Sequence, residues 1–228
     1  MKKESTATKK IVVISGGSGY LGNSISKLLS SRGLIIVKLD ADITKIAAVK
    51  KFADKVVNQH GQIFGIIHAA SAPLIRKPML AGTENNFKSQ FSVNVIGAFH
   101  LFKSLSPAIL PGGVIIGITT TAIEPNTVHS FSGSYIPAKY ALKGMLRVLN
   151  NELKNRSIRV YALAPAFMPG GLNKDLPKAV KTFIEKSTPK EITSPVEVAK
   201  VVLELIDDTS GTLKGKSISI PNRSTTNL

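Results

Sequence analysis

Apolar positions along the chain alternate between two periods. Ile11 to Ile14 is a wholly apolar, β-branched run, the pattern of a strand buried on both faces of a parallel sheet. Leu21, Ile25, Leu28 and Leu29 then recur at helical spacing, and Gly33 ends that helix. The same alternation repeats along the chain. Leu34 to Leu39, Ile63 to Ala70, Gly113 to Ile118, Ile158 to Leu163 and Lys216 to Ile220 read as strands. Residues 45–57, 84–105, 134–154 and 195–206 read as amphipathic helices, the last opened by Pro195. Residues 166–194, rich in Pro, Gly and Lys, read as a variable stretch. Strands that alternate with helices predict an α/β domain with a doubly wound parallel sheet of about six strands and helices on both faces. Residues 1–10 read as a basic tail and 11–228 as one domain, with no repeat or linker.

Between the first strand and the first helix stands Ser15-Gly16-Gly17-Ser18-Gly19-Tyr20-Leu21-Gly22. Strand, glycine turn and helix in that order form a Rossmann-type dinucleotide-binding unit. Gly16 suits the tight turn, Gly19 the approach of backbone to a pyrophosphate, and Gly22 close helix–strand packing; Ser18, Tyr20 and Leu21 complete the expected phosphate contacts. Asp40 ends the second strand, near the place where a carboxylate accepts hydrogen bonds from the adenosine ribose. A carboxylate there opposes a 2′-phosphate, so the expected cofactor is NAD, with NADP as the alternative because Lys38 stands close by. Asp40 or Asp42 is alternatively a cap for the following helix.

Composition narrows the chemistry. With no cysteine and four scattered histidines, neither a thiolate centre nor a metal site is expected. No apolar run reaches the roughly 20 residues of a membrane helix, and MKKESTATKK does not read as a secretory signal, so a cytoplasmic protein without a membrane partner is expected. The formal net charge of +16 is spread over dispersed lysines with no nucleic-acid motif, so it reads as that of a basic but ordinary soluble enzyme, with attraction of anionic substrates as an intermediate reading and no nucleic-acid partner expected.

Tyr135 and Lys139 lie four residues apart at the start of a helix, on one face. A phenol titrates near 10, and a neighbouring ammonium favours its phenolate. The pair reads either as an acid/base with its tuner or as an exposed aromatic beside a lysine.

The motifs together resemble the short-chain dehydrogenase/reductase family over nearly the whole chain. Its signals are matched in order by the glycine turn, His68-Ala69-Ala70-Ser71, Asn94-Val95-Ile96-Gly97, Thr119-Thr120-Thr121, Tyr135-Ile136-Pro137-Ala138-Lys139 and Pro165-Ala166. The resemblance implies that Tyr135 donates and accepts the proton. It implies that Lys139 binds the nicotinamide ribose and lowers the tyrosine pKa, and that Asn94 holds a relay water. Thr120 or Thr121 would replace the serine that positions the carbonyl. Ala69, Ala70, Pro165 and Ala166 would line the cofactor site, with Asp42 near adenine. The departures are a Gly-x-x-Gly-x-x-Gly spacing like that of longer members, His68-Ala69-Ala70-Ser71 in place of Asn-Asn-Ala-Gly, and Ala166 in place of glycine. There is also no room before residue 45 for the usual extra helix and strand. In the family's strand names the sheet order becomes 2-1-4-5-6-7.

The implied function is an NAD(P)-dependent oxidoreductase acting on a small carbonyl or alcohol. The alternative is a non-catalytic NAD-binding sensor or scaffold on the same fold. Apolar residues on more than one face of the helices around Asn94 (Phe91, Val95, Phe99, Leu101, Phe102) and after Tyr135 (Leu142, Met145, Leu146, Leu149) imply a homodimer or homotetramer.

Overall fold

In the computed structural model, residues 9–125, 132–188 and 192–228 are described. Residues 1–8 of the expected tail lie outside that range. Six parallel strands, β1 (Ile11–Ser15), β2 (Ile35–Lys38), β3 (Ile63–His68), β4 (Ile109–Ile118), β5 (Arg159–Pro165) and β6 (Lys216–Ile220), alternate with helices as the periodicity predicts. A seventh strand, β7 (Thr225–Asn227), pairs antiparallel with β6, and the sheet order is β2-β1-β3-β4-β5-β6-β7. The sequence pattern missed β7, because three polar residues on a sheet edge have no apolar alternation. With the strands renamed as the family names them, the first six follow the expected order.

Strand alternation distributes the core. Val12 and Ile14 point to one face, where they pack with Ile25 and Leu29 of α1 (Tyr20–Ser31) and Val198, Val202 and Leu205 of α7 (Pro195–Asp207). Val13 points to the other, among Val49 and Phe52 of α2 (Ile46–His60), Leu101 and Phe102 of α4 (Ala98–Leu105), and Leu142 and Leu146 of α5 (Tyr135–Glu152). α7 is held to the sheet at its C-terminal end. The buried Arg159 guanidinium donates to the carbonyls of Leu205 at 2.6 Å, Gly112 at 3.0 Å and Ile206 at 3.3 Å, and also to that of Asp208. Its donors satisfy carbonyls that the helix end leaves open.

Two features depart from the periodic reading. The stretch 84–105 is one helical run broken in character: α3 (Glu84–Phe91) passes through a π-turn, Ser92–Gly97, into α4. A further helix, α6 (Lys178–Ser187), lies inside the stretch read as variable. No residue of α6 is buried, so its apolar positions mark no core face.

His68 ends β3 opposite Ser15, and the two buried side chains meet at 2.9 Å between Ser15 Oγ and His68 Nδ1. Burial, aided by the nearby Lys139 charge, pushes the imidazole down from 6.5 to about 3. The folded protein therefore holds His68 neutral where the unfolded chain would protonate it. Stability from this group is complete above about pH 6.5 and drains away as pH falls towards about 3. Between pH 7 and pH 4, urea unfolding is expected to show the wild-type protein losing roughly 2–4 kcal/mol more stability than His68→Asn, whose amide does not titrate.

Candidate active site

β1 is flanked by β2 on one side and β3 on the other, so the connections leaving its end and the end of β3 diverge. Ligands of open α/β sheets sit at such a point, outside the carboxyl ends of the strands. A cleft of about 490 Å³ opens there, within the size range of small-molecule and cofactor sites. Its floor at one end is the glycine turn. Gly16 has φ +69°, and a Cβ on it would stand 2.7 Å from Ala70 N; a Cβ on Gly22 would stand 2.1 Å from Gly16 O. Only glycine permits this triple approach of turn, helix and β3. Gly19 is the N-cap of α1, with no side-chain cap and no acidic residue in the first turn. The helix therefore presents uncapped N–H groups and its positive end to the cleft.

At the other end, three elements converge. Thr119 ends the β4 ladder, with N and Oγ1 both donating to Leu163 O at 2.7 and 3.1 Å, and so fixes the direction in which Thr120 leaves the sheet. The Thr120 side chain accepts from Ala122 N at 3.3 Å and stands beside the Tyr135 phenol. The four-residue spacing puts Lys139 one turn below Tyr135, with Nζ 5.5 Å from the centre of the phenol ring. Lys139 is 3% exposed and donates to Ile118 O at 2.9 Å. Burial pushes its ammonium down to about 7. Burial also pushes the Tyr135 phenol up to about 12, against the smaller lowering by Thr120. This corrects the expectation of a phenol lowered by Lys139: two groups buried together each favour the neutral form.

Of the residues singled out in the sequence, Gly16, Gly19, Tyr20, Leu21, Gly22, Ala69, Ala70, Thr120, Thr121, Tyr135, Lys139, Pro165 and Ala166 all line this cleft. Ser18, Asp40, Asp42 and Asn94 do not. Ser18 and Asp40 are exposed. Asp42 accepts from N and Oγ1 of Thr44 at 2.9 and 2.7 Å, closing a turn before α2, and these bonds hold its carboxyl below the usual range. α2 begins after Lys45 and has no side-chain cap, so neither aspartate caps it. Asn94 is buried in the π-turn, behind the cleft wall.

Several side chains that build the cleft carry no local signal. Arg76 Nη2 donates to Leu172 O at 3.1 Å and Asn173 Oδ1 at 2.7 Å, so it joins the loop after β3 to the loop after β5. The Tyr20 ring lies against Gly170 and Gly171, and a Cβ on Gly170 would stand 2.6 Å from its Cζ. Glu124 anchors the wall beyond Thr121. It pairs with Lys143 of α5 at 3.1 Å and accepts from Ser217 Oγ at 2.7 Å and Thr226 Oγ1 at 2.9 Å.

A nicotinamide dinucleotide fits what these residues offer. The glycine cradle and the uncapped helix end suit a pyrophosphate. Thr120 and Tyr135 bring two hydroxyl groups to the far end, near a lysine with one of its donors committed and others to give.

A family model described as Enoyl-(Acyl carrier protein) reductase matches residues 10–221. The 3-oxoacyl-[acyl-carrier-protein] reductase of Thermotoga maritima is 25% identical over 240 residues, covering 92% of this chain and 96% of that protein. Among solved structures, the aldohexose dehydrogenase of Thermoplasma acidophilum superposes with a TM-score of 0.83 at 18% identity, over 93% of this chain and 92% of that one. An NAD+-bound xylitol dehydrogenase gives 0.82 at 21% identity, over 94% and 99%. With the glycine turn, the Tyr135–Lys139 pair and the strand order of the sheet, the match over residues 10–221 places the chain in the short-chain dehydrogenase/reductase family of NAD(P)-dependent oxidoreductases.

Proposed function

We propose that the cleft interconverts a carbonyl and an alcohol, with Tyr135 exchanging the proton at the substrate oxygen. The observation that carries this reading is the grouping of Thr120 and Tyr135 with Lys139 in the same cleft as the glycine turn. The nicotinamide coenzyme, when bound, supplies or accepts the hydride at the substrate carbon. The Thr120 and Tyr135 hydroxyls bind the substrate oxygen, where negative charge develops during reduction. Tyr135, pushed up to about 12, is fully protonated at neutral pH and enters reduction as the acid. Lys139, pushed down to about 7, is partly charged near neutrality, and its protonated form favours the phenolate left behind. Its remaining donors serve the ribose hydroxyls. Asn94 completes the proton path through a water. Thr120, beside the Tyr135 phenol, takes the role of the family serine in preference to Thr121.

The panel that tests this is ethyl acetoacetate, diacetyl, glucose and xylitol with both coenzymes. Tyr135→Phe is expected to reduce turnover of the best substrate by about 10²–10⁴-fold with little change in coenzyme affinity. Thr120→Val is expected to cost more turnover than Thr121→Val. Activity undiminished in Tyr135→Phe removes Tyr135, and the mechanism built on it, from the reaction.

For the coenzyme we favour NAD. Asp40 stands two residues beyond the end of β2 and its exposed carboxylate repels a 2′-phosphate, whereas the Lys38 stem lies over Gly17. Calorimetry is expected to give NAD(H) at least a roughly ten-fold advantage, about 1.4 kcal/mol. Equal affinities would reject this choice.

We also propose a homodimer or homotetramer built on the outer faces of the π-turn, α4 and α5. Of the apolar residues expected in surplus, Leu101, Phe102, Leu142 and Leu146 are buried against the sheet. Ile96, Phe99, Tyr140 and Val148 are left 46–54% exposed. Scattered apolar residues are ordinary, but four on adjoining helices suit a self-complementary patch. Light scattering at micromolar concentration is expected to show an oligomer that Phe99→Glu dissociates. A wild-type monomer would rule this surface out.

A further inference from the structure

Leu74 on the loop after β3, Ile136 on α5, and Phe167, Met168 and Leu172 on the loop after β5 all line the cleft. Each is partly buried, so three separate segments offer apolar surface to whatever enters. Neither the glycine turn nor the group of Thr120, Tyr135 and Lys139 needs them. Among the described residues of the lining, none is acidic, Lys139 is the one charged side chain, and Asn173 is the one carboxamide.

The polar side chains among them are largely engaged. Ser71 Oγ donates to Ala72 O at 3.2 Å, and Thr119 Oγ1 donates to Leu163 O. Asn173 is held at both ends of its amide: Oδ1 accepts from Arg76 Nη2 at 2.7 Å, and Nδ2 donates to Met168 O at 2.9 Å. Arg76 also donates to Leu172 O. The loop after β5 thus turns these polar groups on itself and on Arg76. A sugar or polyol must find a donor or acceptor for each hydroxyl that it buries, and every one left unmatched costs roughly ten-fold or more in affinity. An alkyl chain makes no such demand. It gains from each methylene taken out of water, and the Met168 thioether adapts to irregular apolar shapes.

We propose that the substrate is a ketone, or the matching secondary alcohol, whose reacting carbon carries an alkyl chain and not a hydroxylated one. Its oxygen meets Thr120 and Tyr135, and its chain packs against Leu74, Ile136, Met168 and Leu172. Specificity then comes from burial of the chain, and polyols are rejected because their hydroxyls lose water without gaining partners. This inference rests on the reading of Tyr135 as the group that exchanges the proton at the substrate oxygen.

The first arm of the test uses the wild-type enzyme with the coenzyme it prefers. From 2-butanone to 2-heptanone, kcat/KM is expected to rise about three- to four-fold per methylene. Glucose and xylitol are expected to stand at least about 10²-fold below 2-heptanone. The second arm needs no turnover. Propionamide to heptanamide, unreactive analogues of the carbonyl series, are titrated by calorimetry into the protein saturated with reduced coenzyme. Their affinity is expected to rise by the same factor per methylene, with a negative heat-capacity change. Leu74→Ser and Leu172→Ser are each expected to lower the gain per methylene in both series, and either one decides if the other does not fold. An amide series without the gain, a gain that neither serine variant lowers, or glucose or xylitol turned over as well as 2-heptanone overturns the proposal. Amides that show the gain while no ketone is turned over uphold the apolar site and overturn the reading of Tyr135 instead.

Discussion

The cleft depends on how closely three pieces of backbone approach one another at the end of β1. The turn must pass within contact of Ala70, and α1 must begin against the carbonyl of Gly16. Both approaches are closed to any residue with a Cβ. Because α1 starts there, its positive end faces the gap between the diverging connections of β1 and β3. Because β3 ends there, Ala69 and Ala70 form the wall opposite. The parallel sheet, the buried Ser15–His68 contact and the packing of α1 on α7 all converge on keeping that approach intact.

The far wall is held by a different kind of force. Glu124 and Lys143 are both largely buried, and an isolated pair so placed gains little after desolvation. Here Ser217 and Thr226 add hydrogen bonds to both carboxylate oxygens, and Lys143 also reaches Thr226 Oγ1 at 3.1 Å. The segment after Thr121, helix α5 and the C-terminal strands β6 and β7 are thereby tied together. Across the mouth, Arg76 and the Tyr20 ring hold the loop after β5 against the rest. One wall is therefore set by shape and the other by charge and hydrogen bonding.

Much of this was legible in the sequence where the signal is local. Buried parallel strands are apolar runs, so all six parallel strands were readable. Tyr135 and Lys139 are one helical turn apart, so their shared face was readable too. The protonation states were not, since burial of both groups together depends on tertiary packing. The bond from the buried Gln90 side chain to Pro73 O was invisible because the two lie 17 residues apart and no spacing rule connects them. The contacts of Glu124 with Ser217 and Thr226 span 93 and 102 residues. α6 was missed because its short apolar stripe, Val180, Phe183 and Ile184, lies within a stretch rich in Pro, Gly and Lys, and the π-turn because its residues look like ordinary helix.

The π-turn also has a bearing on how this chain can change. A π-turn is in effect one surplus residue in a helix. The wider turn takes that residue up locally, so the helices on either side keep the phase of an uninterrupted α-helix. Deleting one position between Ser92 and Gly97 would restore a regular ladder and still leave Leu101, Phe102 and Leu105 against the sheet. A deletion inside α4 itself would instead turn everything after it by about 100° around the axis. The packing of α4 therefore does not require the irregularity, and what the π-turn changes is confined to the surroundings of Asn94.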